Sequence, residues 1–131
     1  MTYEFEKDPV NGLILVYIVL DEIYEFKMMF DTGASNTTFD INPLYIAKYP
    51  IGNIIEKGMV ETASGFMQVD IIKTKEISAL GHTVRDVKVQ IYDYLVHGIV
   101  CEYDGVLGLD FFEGTEFTIN MKNQTIEVKP A

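Results

Sequence analysis

An aspartate ends an apolar strand at one point in this chain, and that ending limits the folds that are possible. Residues 26–30 read Phe-Lys-Met-Met-Phe, so Phe26, Met28 and Phe30 share one face of the predicted strand, and Asp31 follows directly. Aspartate is a poor strand residue, and removing its charge from water costs free energy. The pattern therefore predicts a strand that ends at the rim of a core, with a carboxylate placed there for a chemical purpose.

Length and charge restrict the class of protein further. A chain of 131 residues is long enough for one domain, which we expect to span residues 1–131. Twenty acidic residues against ten basic ones give a net charge of -10, which repels phosphate backbones and anionic lipid headgroups. We therefore expect neither nucleic acid nor a membrane surface as a partner.

Cysteine usage and the most apolar segment bear on the cellular location. Cys101 is the single cysteine, so no intrachain disulfide can form, and a reducing cytoplasm is the simplest expectation. The run Leu13–Leu20 is too short to span a bilayer. It also follows acidic residues rather than basic ones, so it does not read as a signal peptide.

Apolar periodicity predicts β-strands along most of the chain, with the run at 13–20 buried on both faces. Helical turns are expected only near residues 43–48 and 110–114, and His82 is expected to be an exposed turn residue. The fold class is therefore all-β. The predicted strands occupy residues 2–6, 13–20, 25–30, 37–39, 54–62, 66–75, 77–80, 84–92, 104–109, 117–121 and 126–128.

The loop Asp31-Thr32-Gly33-Ala34-Ser35 resembles the active-site loop of aspartic proteases in their short retroviral form, which is also found in bacterial and cellular proteins. The similarity runs from about Leu13 to Val128 and implies a closed barrel of the retropepsin type, with a flap hairpin and one short helix near the C-terminus. Three further features follow in the family's order: a hairpin tipped by Thr62-Ala63-Ser64-Gly65, the element Gly105-Val106-Leu107-Gly108, and Asp110-Phe111-Phe112.

The resemblance implies hydrolysis of peptide bonds by two carboxylates that share one proton around a water molecule. This chain has one Asp-Thr-Gly, so an obligate homodimer is expected, in which both Asp31 side chains meet at the twofold axis. Like charges held so close cannot both ionise, so the pair keeps one proton into a higher pH range. No metal and no cofactor are implied, and the partner is an extended peptide or protein substrate.

The resemblance also implies roles for the neighbours of Asp31. Thr32 is expected to exchange hydrogen bonds with its symmetry mate, and Gly33 to admit the substrate backbone while its N–H points toward a carboxylate. Pepsin-like lobes carry a hydroxyl residue where this chain has Ala34, so we expect an optimum less acidic than pepsin's. Ser35 completes the loop.

Two further groups of residues are implied by the same resemblance. Val106, Leu107 and Gly108 are expected to lie behind the loop that holds Asp31. The flap and substrate-binding residues are expected to be Thr62, Ala63, Ser64, Gly65 and Phe66. The expected apolar pocket walls are Ile72, Val106 and Phe66.

Other interpretations remain open from the sequence. A dimeric scaffold or peptide-binding domain without catalysis would have the same fold, and an unrelated β-barrel binding module would leave Asp31 exposed and isolated. A zinc site at His97 and Cys101, with Glu102 and Asp104 nearby, lacks a second cysteine and a paired histidine.

Overall fold

The structure of the chain is a computed structural model that describes residues 1–52, 56–62 and 65–131. Strands dominate the described residues, as the all-β prediction requires. They are β1 (Thr2–Glu4), β2 (Glu6–Lys7), β3 (Ile14–Leu20), β4 (Tyr24–Phe30), β5 (Thr38–Asp40), β6 (Glu56–Thr62), β7 (Gly65–Ala79), β8 (His82–Tyr92), β9 (Gly105–Leu107), β10 (Thr115–Asn120) and β11 (Thr125–Pro130).

Six of the described strands form a closed barrel. Its order is β3-β4-β9-β5-β8-β7, and β7 pairs back onto β3 through Val19–Ser78 and Leu20–Ile77. The neighbours β4–β9 and β5–β8 are parallel, whereas β9–β5 is antiparallel. The expected closed barrel is therefore confirmed. A separate sheet with the order β1-β11-β10 packs beside it.

In the hairpin of β3 and β4, the burial of the side chains agrees most clearly with the alternation of apolar residues in the sequence. Phe26, Met28 and Phe30 face the core and are 4%, 0% and 8% exposed. The expectation that β3 is buried on both faces is wrong at Tyr17, which is 47% exposed. Its ring lies under the Lys27 ammonium and its hydroxyl donates to Glu6, contacts that suit an aromatic residue with a polar tip.

The N-terminal strand divides where the sequence predicts one edge strand over residues 2–6. Phe5 is buried in the core, and its N–H donates to the Gln124 carbonyl at 3.0 Å. Because this residue turns inward, β1 joins the small sheet through β11, whereas β2 continues along β3.

Strand β7 is longer than the sequence predicts. The strands predicted at 66–75 and 77–80 form one continuous strand of 15 residues that ends at Ala79, and it pairs with β6 at its start and with β8 along most of its length. The turn to β8 comes at Leu80 and Gly81, both with positive φ. His82 is a strand residue rather than an exposed turn residue: its ring packs edge-on against Phe111 at 5.1 Å.

Two short helical segments occur in the described residues. The helix α1 spans Ile41–Ile46, beginning before the predicted start because the Asp40 carboxylate accepts the Asn42 N–H at 3.2 Å. The segment near the C-terminus, Leu109–Phe112, is a single 3₁₀ turn. Within the described ranges, no helix is long and apolar enough to cross a membrane.

Candidate active site

Asp31 lies just past the end of β4, in a tight turn. Its backbone N–H donates to the Leu107 carbonyl at 3.2 Å, which continues the pairing of β4 with β9 by one residue. Its carbonyl accepts the Ala34 N–H at 3.2 Å, which closes the turn. The side chain is half-exposed, and one carboxylate oxygen accepts the Gly33 N–H at 2.8 Å. The backbone therefore orients the carboxylate while leaving it accessible.

A cleft of about 540 Å³ opens above this carboxylate. The loop from Asp31 to Asn36 supplies its floor, including Gly33, Ala34 and Ser35. Its walls come from the β6 arm of the hairpin and from the ends of β8 and β9. The wall residues are Met59, Val60, Glu61, Gln90, Tyr92 and Val106.

Gly108 lies directly behind the loop that holds Asp31. A Cβ atom at Gly108 would lie 2.6 Å from the carbonyl carbon of Asn36 and 2.9 Å from the carbonyl oxygen of Ala34. Because these are backbone atoms, a side chain could be accommodated only by moving the loop. Close packing of two backbone segments therefore requires glycine at this position.

Gly105 has the same function on the other side of β9. The strand passes between β4 and β5, and a Cβ at Gly105 would lie 2.2 Å from the Thr38 carbonyl oxygen. Together the two glycines bring β9 into contact with the strands before and after the Asp31 loop. This threading positions Val106 in the cleft wall while Leu107 is fully buried.

A buried threonine joins the loop to the 3₁₀ turn. Thr37 is 0% exposed, and its hydroxyl donates to one Asp110 carboxylate oxygen at 2.7 Å while accepting the Gly108 N–H at 3.2 Å. The Thr37 N–H donates to the other Asp110 oxygen at 2.9 Å. Two backbone hydrogen bonds also join the loop to the turn. The Leu109 N–H donates to the Ala34 carbonyl, and the Asp110 N–H donates to the Ser35 carbonyl.

Two tyrosines lie at the end of β8 and just past it. The Tyr92 ring, at the cleft, packs on Tyr94 with centroids 4.7 Å apart, and the Tyr94 hydroxyl shares a buried hydrogen bond of 3.1 Å with Thr38. Burial raises the pKa of both Tyr92 and Tyr94 above the usual value for tyrosine. These phenols therefore stay neutral at physiological pH and act as hydrogen-bonding groups.

The predicted flap residues have different outcomes. Ala63 and Ser64 lie outside the described residues. Thr62 pairs with Gly65, so β6 and β7 form the predicted hairpin. Phe66 is 74% exposed and does not line the cleft above Asp31.

The pocket walls expected from the sequence are only partly correct. Val106 lines the cleft, but Ile72 is buried and instead faces a separate cleft beside Tyr24 and Tyr49. The sequence does not single out Glu61 and Gln90, which the pairing of β6, β7 and β8 brings to the cleft. Their strand alternation marks them as facing away from the core, but it does not reveal which loop they face.

Within the described part of the chain, no group of three or more histidine, cysteine, aspartate or glutamate side chains is arranged to hold a metal ion. Cys101 is half-buried, and burial raises the pKa of its thiol. Its Sγ donates to the Tyr103 carbonyl at 3.3 Å. The described lining of the cleft places the Asp31 carboxylate among hydroxyl and amide side chains such as Ser35, Asn36 and Gln90.

Asp31 is thus a half-exposed aspartate in a hydrogen-bonded turn, with a glycine-flanked strand threaded behind it. A sequence profile described as aspartyl protease matches residues 16–111, a range that includes both Asp31 and Gly108. The chain belongs to the aspartyl protease family.

One solved structure with the same fold is a retropepsin-like aspartic protease from Rickettsia conorii. The two chains are 17% identical and superpose with a TM-score of 0.72, over 100% of this chain and 92% of that one. At this identity the likeness establishes a retropepsin-like fold. No curated protein matches the chain significantly.

Proposed function

We propose that this protein is an aspartic endopeptidase that acts as a homodimer, with Asp31 of each subunit at a shared active centre. The observation that carries the proposal is the Asp31 carboxylate, held by the Gly33 N–H on the floor of an open cleft in a chain of the aspartyl protease family. Its immediate neighbours Thr32 and Gly33 are exposed in the single chain. That exposure leaves the loop free to meet a second copy of itself.

The second subunit is required by the chemistry. Hydrolysis needs one carboxylate that accepts a proton from water and one carboxylic acid that donates a proton to the scissile carbonyl oxygen. The chain carries Asp-Thr-Gly once. A symmetric pair of Asp31 side chains supplies both groups, since two like charges in contact retain one proton between them.

The reaction follows from this pair. The ionised Asp31 removes a proton from the bound water as its oxygen attacks the carbonyl carbon, and the protonated Asp31 gives its proton to the carbonyl oxygen. A tetrahedral diol results. The Asp31 that now holds a proton gives it to the amide nitrogen, while the ionised Asp31 takes a proton from one hydroxyl of the diol. The C–N bond breaks, an amine and a carboxylic acid are released, and the pair again holds one proton.

The hairpin of β6 and β7 is proposed to act as the flap. Its arm supplies Met59, Val60 and Glu61 to the cleft of about 540 Å³ above Asp31. Backbone groups of the hairpin would bind a peptide in β-strand fashion and exclude water from the reacting bond. The substrate is therefore an extended peptide or an unfolded segment of a protein.

Cleavage of a peptide library between about pH 4 and 7 tests the proposal, with Asp31→Asn as the variant and Asp86→Asn as the matched control. Asp86 is exposed on β8, at a positive φ that asparagine also tolerates. Wild type and the control should cleave, the Asp31 variant should not, and a statine-type peptide should inhibit. Cleavage that survives Asp31→Asn would contradict the mechanism. Absence of cleavage by the wild-type dimer would instead favour a scaffold domain.

A further inference from the structure

Glu61 is an acidic side chain that faces the cleft without a charged partner among the described residues. It lies on β6 opposite Phe66, it is exposed, and it forms part of the cleft wall near Asp31. The other charged residues described on this strand are paired: Glu56 with Lys88 at 3.0 Å, and Lys57 with Asp70. Ion pairs therefore neutralise the charges at the start of β6, whereas the Glu61 carboxylate in the cleft wall can bind a ligand.

The charge of the cleft has one sign. The described lining residues include the carboxylates of Asp31 and Glu61 and no lysine, arginine or histidine. Other lining residues, such as Asn36 and Gln90, are neutral. A net charge of -10 on the chain adds a long-range field of the same sign. A dimer would double both contributions, since each subunit brings its own Glu61.

We propose that Glu61 makes this protein selective for peptides that carry lysine or arginine close to the scissile bond. The inference rests on the proposed function, because it describes the substrate of that same cleft. A carboxylate attracts an ammonium or guanidinium group more strongly inside a cleft from which a bound peptide has displaced water, and arginine can add a two-pronged hydrogen bond. An acidic peptide is rejected, because it would bring a third negative charge beside Asp31 and Glu61.

The test compares peptides that differ at one position near the scissile bond, with lysine, arginine, alanine or glutamate there. Wild type should cleave the lysine and arginine peptides with a kcat/KM about five-fold above that of the alanine peptide, the size expected of one partly shielded ion pair. Glu61→Gln should remove this preference mainly through KM, so that the lysine, arginine and alanine peptides are cleaved with similar kcat/KM. Glu61→Lys should reverse the preference toward the glutamate peptide.

Glu25→Gln is the matched control, because it changes the net charge by the same amount. Glu25 is exposed on β4, six residues before Asp31 and so about 20 Å from it along an extended strand. This variant should keep the full preference for basic peptides. An equal loss in both variants would assign the preference to overall charge and overturn the role of Glu61, as would an unchanged preference in Glu61→Gln.

Binding to the Asp31→Asn protein separates this inference from the proposed function. Fluorescence anisotropy with labelled lysine and glutamate peptides should show tighter binding of the lysine peptide, and adding Glu61→Gln should abolish the difference. Cleavage of the alanine peptide without any charge preference would refute selectivity alone. Charge-selective binding to Asp31→Asn, with no cleavage of any peptide by wild type, would refute the catalytic proposal and support Glu61 as a recognition residue.

Discussion

The Thr37 hydroxyl should be one of the most sensitive single groups in the protein, because it ties the Asp31 loop to the 3₁₀ turn. Valine has nearly the same shape, so Thr37→Val removes the hydroxyl without leaving a cavity. The change deletes a hydrogen bond of 2.7 Å to the Asp110 carboxylate and one of 3.2 Å from the Gly108 N–H. Any loss of stability can therefore be assigned to hydrogen bonding.

The magnitude follows from the two bonds. A bond to a charged acceptor contributes about 1.5–3 kcal/mol, and a buried N–H left without an acceptor costs about 1–3 kcal/mol. The Asp110 carboxylate still accepts the Thr37 N–H at 2.9 Å. Because Asp110 is also half-exposed, a water molecule can replace the lost hydroxyl and recover part of the energy of its bond to the carboxylate. We expect the free energy of unfolding to fall by about 3 kcal/mol, a large share of the roughly 5–15 kcal/mol typical of a domain.

Urea unfolding at a fixed protein concentration measures this change, followed by far-ultraviolet circular dichroism and tyrosine fluorescence, since the chain has no tryptophan. Thr37→Ser is the control: it keeps the hydroxyl and loses only a methyl group, so its cost should be about 1 kcal/mol. In an Asp110→Asn background, the penalty of Thr37→Val should shrink by about half, which reports the coupling between the two side chains. A penalty below about 1 kcal/mol for Thr37→Val, or equal penalties for valine and serine, would refute the assignment.

Three further predictions concern the same region. Gly108→Ala should destabilise the protein by about 1–3 kcal/mol and reduce cleavage, because the alanine methyl group would displace the backbone at Asn36. An unchanged urea midpoint and unchanged activity would contradict the packing argument. Ala34→Ser should move the acidic limb of the kcat/KM profile to lower pH, because it restores the hydroxyl donor that pepsin-like lobes carry at this position of the loop, and a profile identical to wild type would refute this role. The pKa of Asp93 is lowered chiefly by the Asn42 side-chain amide, so its charged form stabilises the fold above its ordinary value of 3.8 and that stabilisation is lost as the pH falls. The stability gap between wild type and Asp93→Asn, measured by urea unfolding, should therefore be largest near neutral pH and close below about pH 4, and a gap independent of pH would contradict it.

The elements that the sequence predicts best are those set by neighbouring residues. Alternation in β4 correctly places Phe26, Met28 and Phe30 in the core, and it brings the carboxylate that follows to the strand end. Glycine is otherwise unfavourable in a strand, so the glycines at 105 and 108 indicate a close approach of two backbones. These inferences need only the chain within a few residues.

What the sequence does not predict depends on pairing between distant segments. Thr37 and Asp110 are 73 residues apart, and the sequence around neither residue predicts the hydrogen bonds between them. Glu61 and Tyr92 reach the same cleft only through the ladders of β6, β7 and β8. The continuous course of β7 likewise depends on partners on both sides. The fold class can therefore be predicted from local sequence patterns, but the set of residues that line the cleft cannot.

A mixing experiment tests most directly whether two copies of Asp31 form one active centre. Wild type and Asp31→Asn chains would be unfolded together, refolded at varied ratios and constant total concentration, and assayed on one peptide, with Asp86→Asn in place of the inactive chain as the control. If both aspartates are needed, activity should fall as the square of the wild-type fraction, to about a quarter at equal amounts. A linear fall, to about half, would mean that a single subunit hydrolyses the peptide alone.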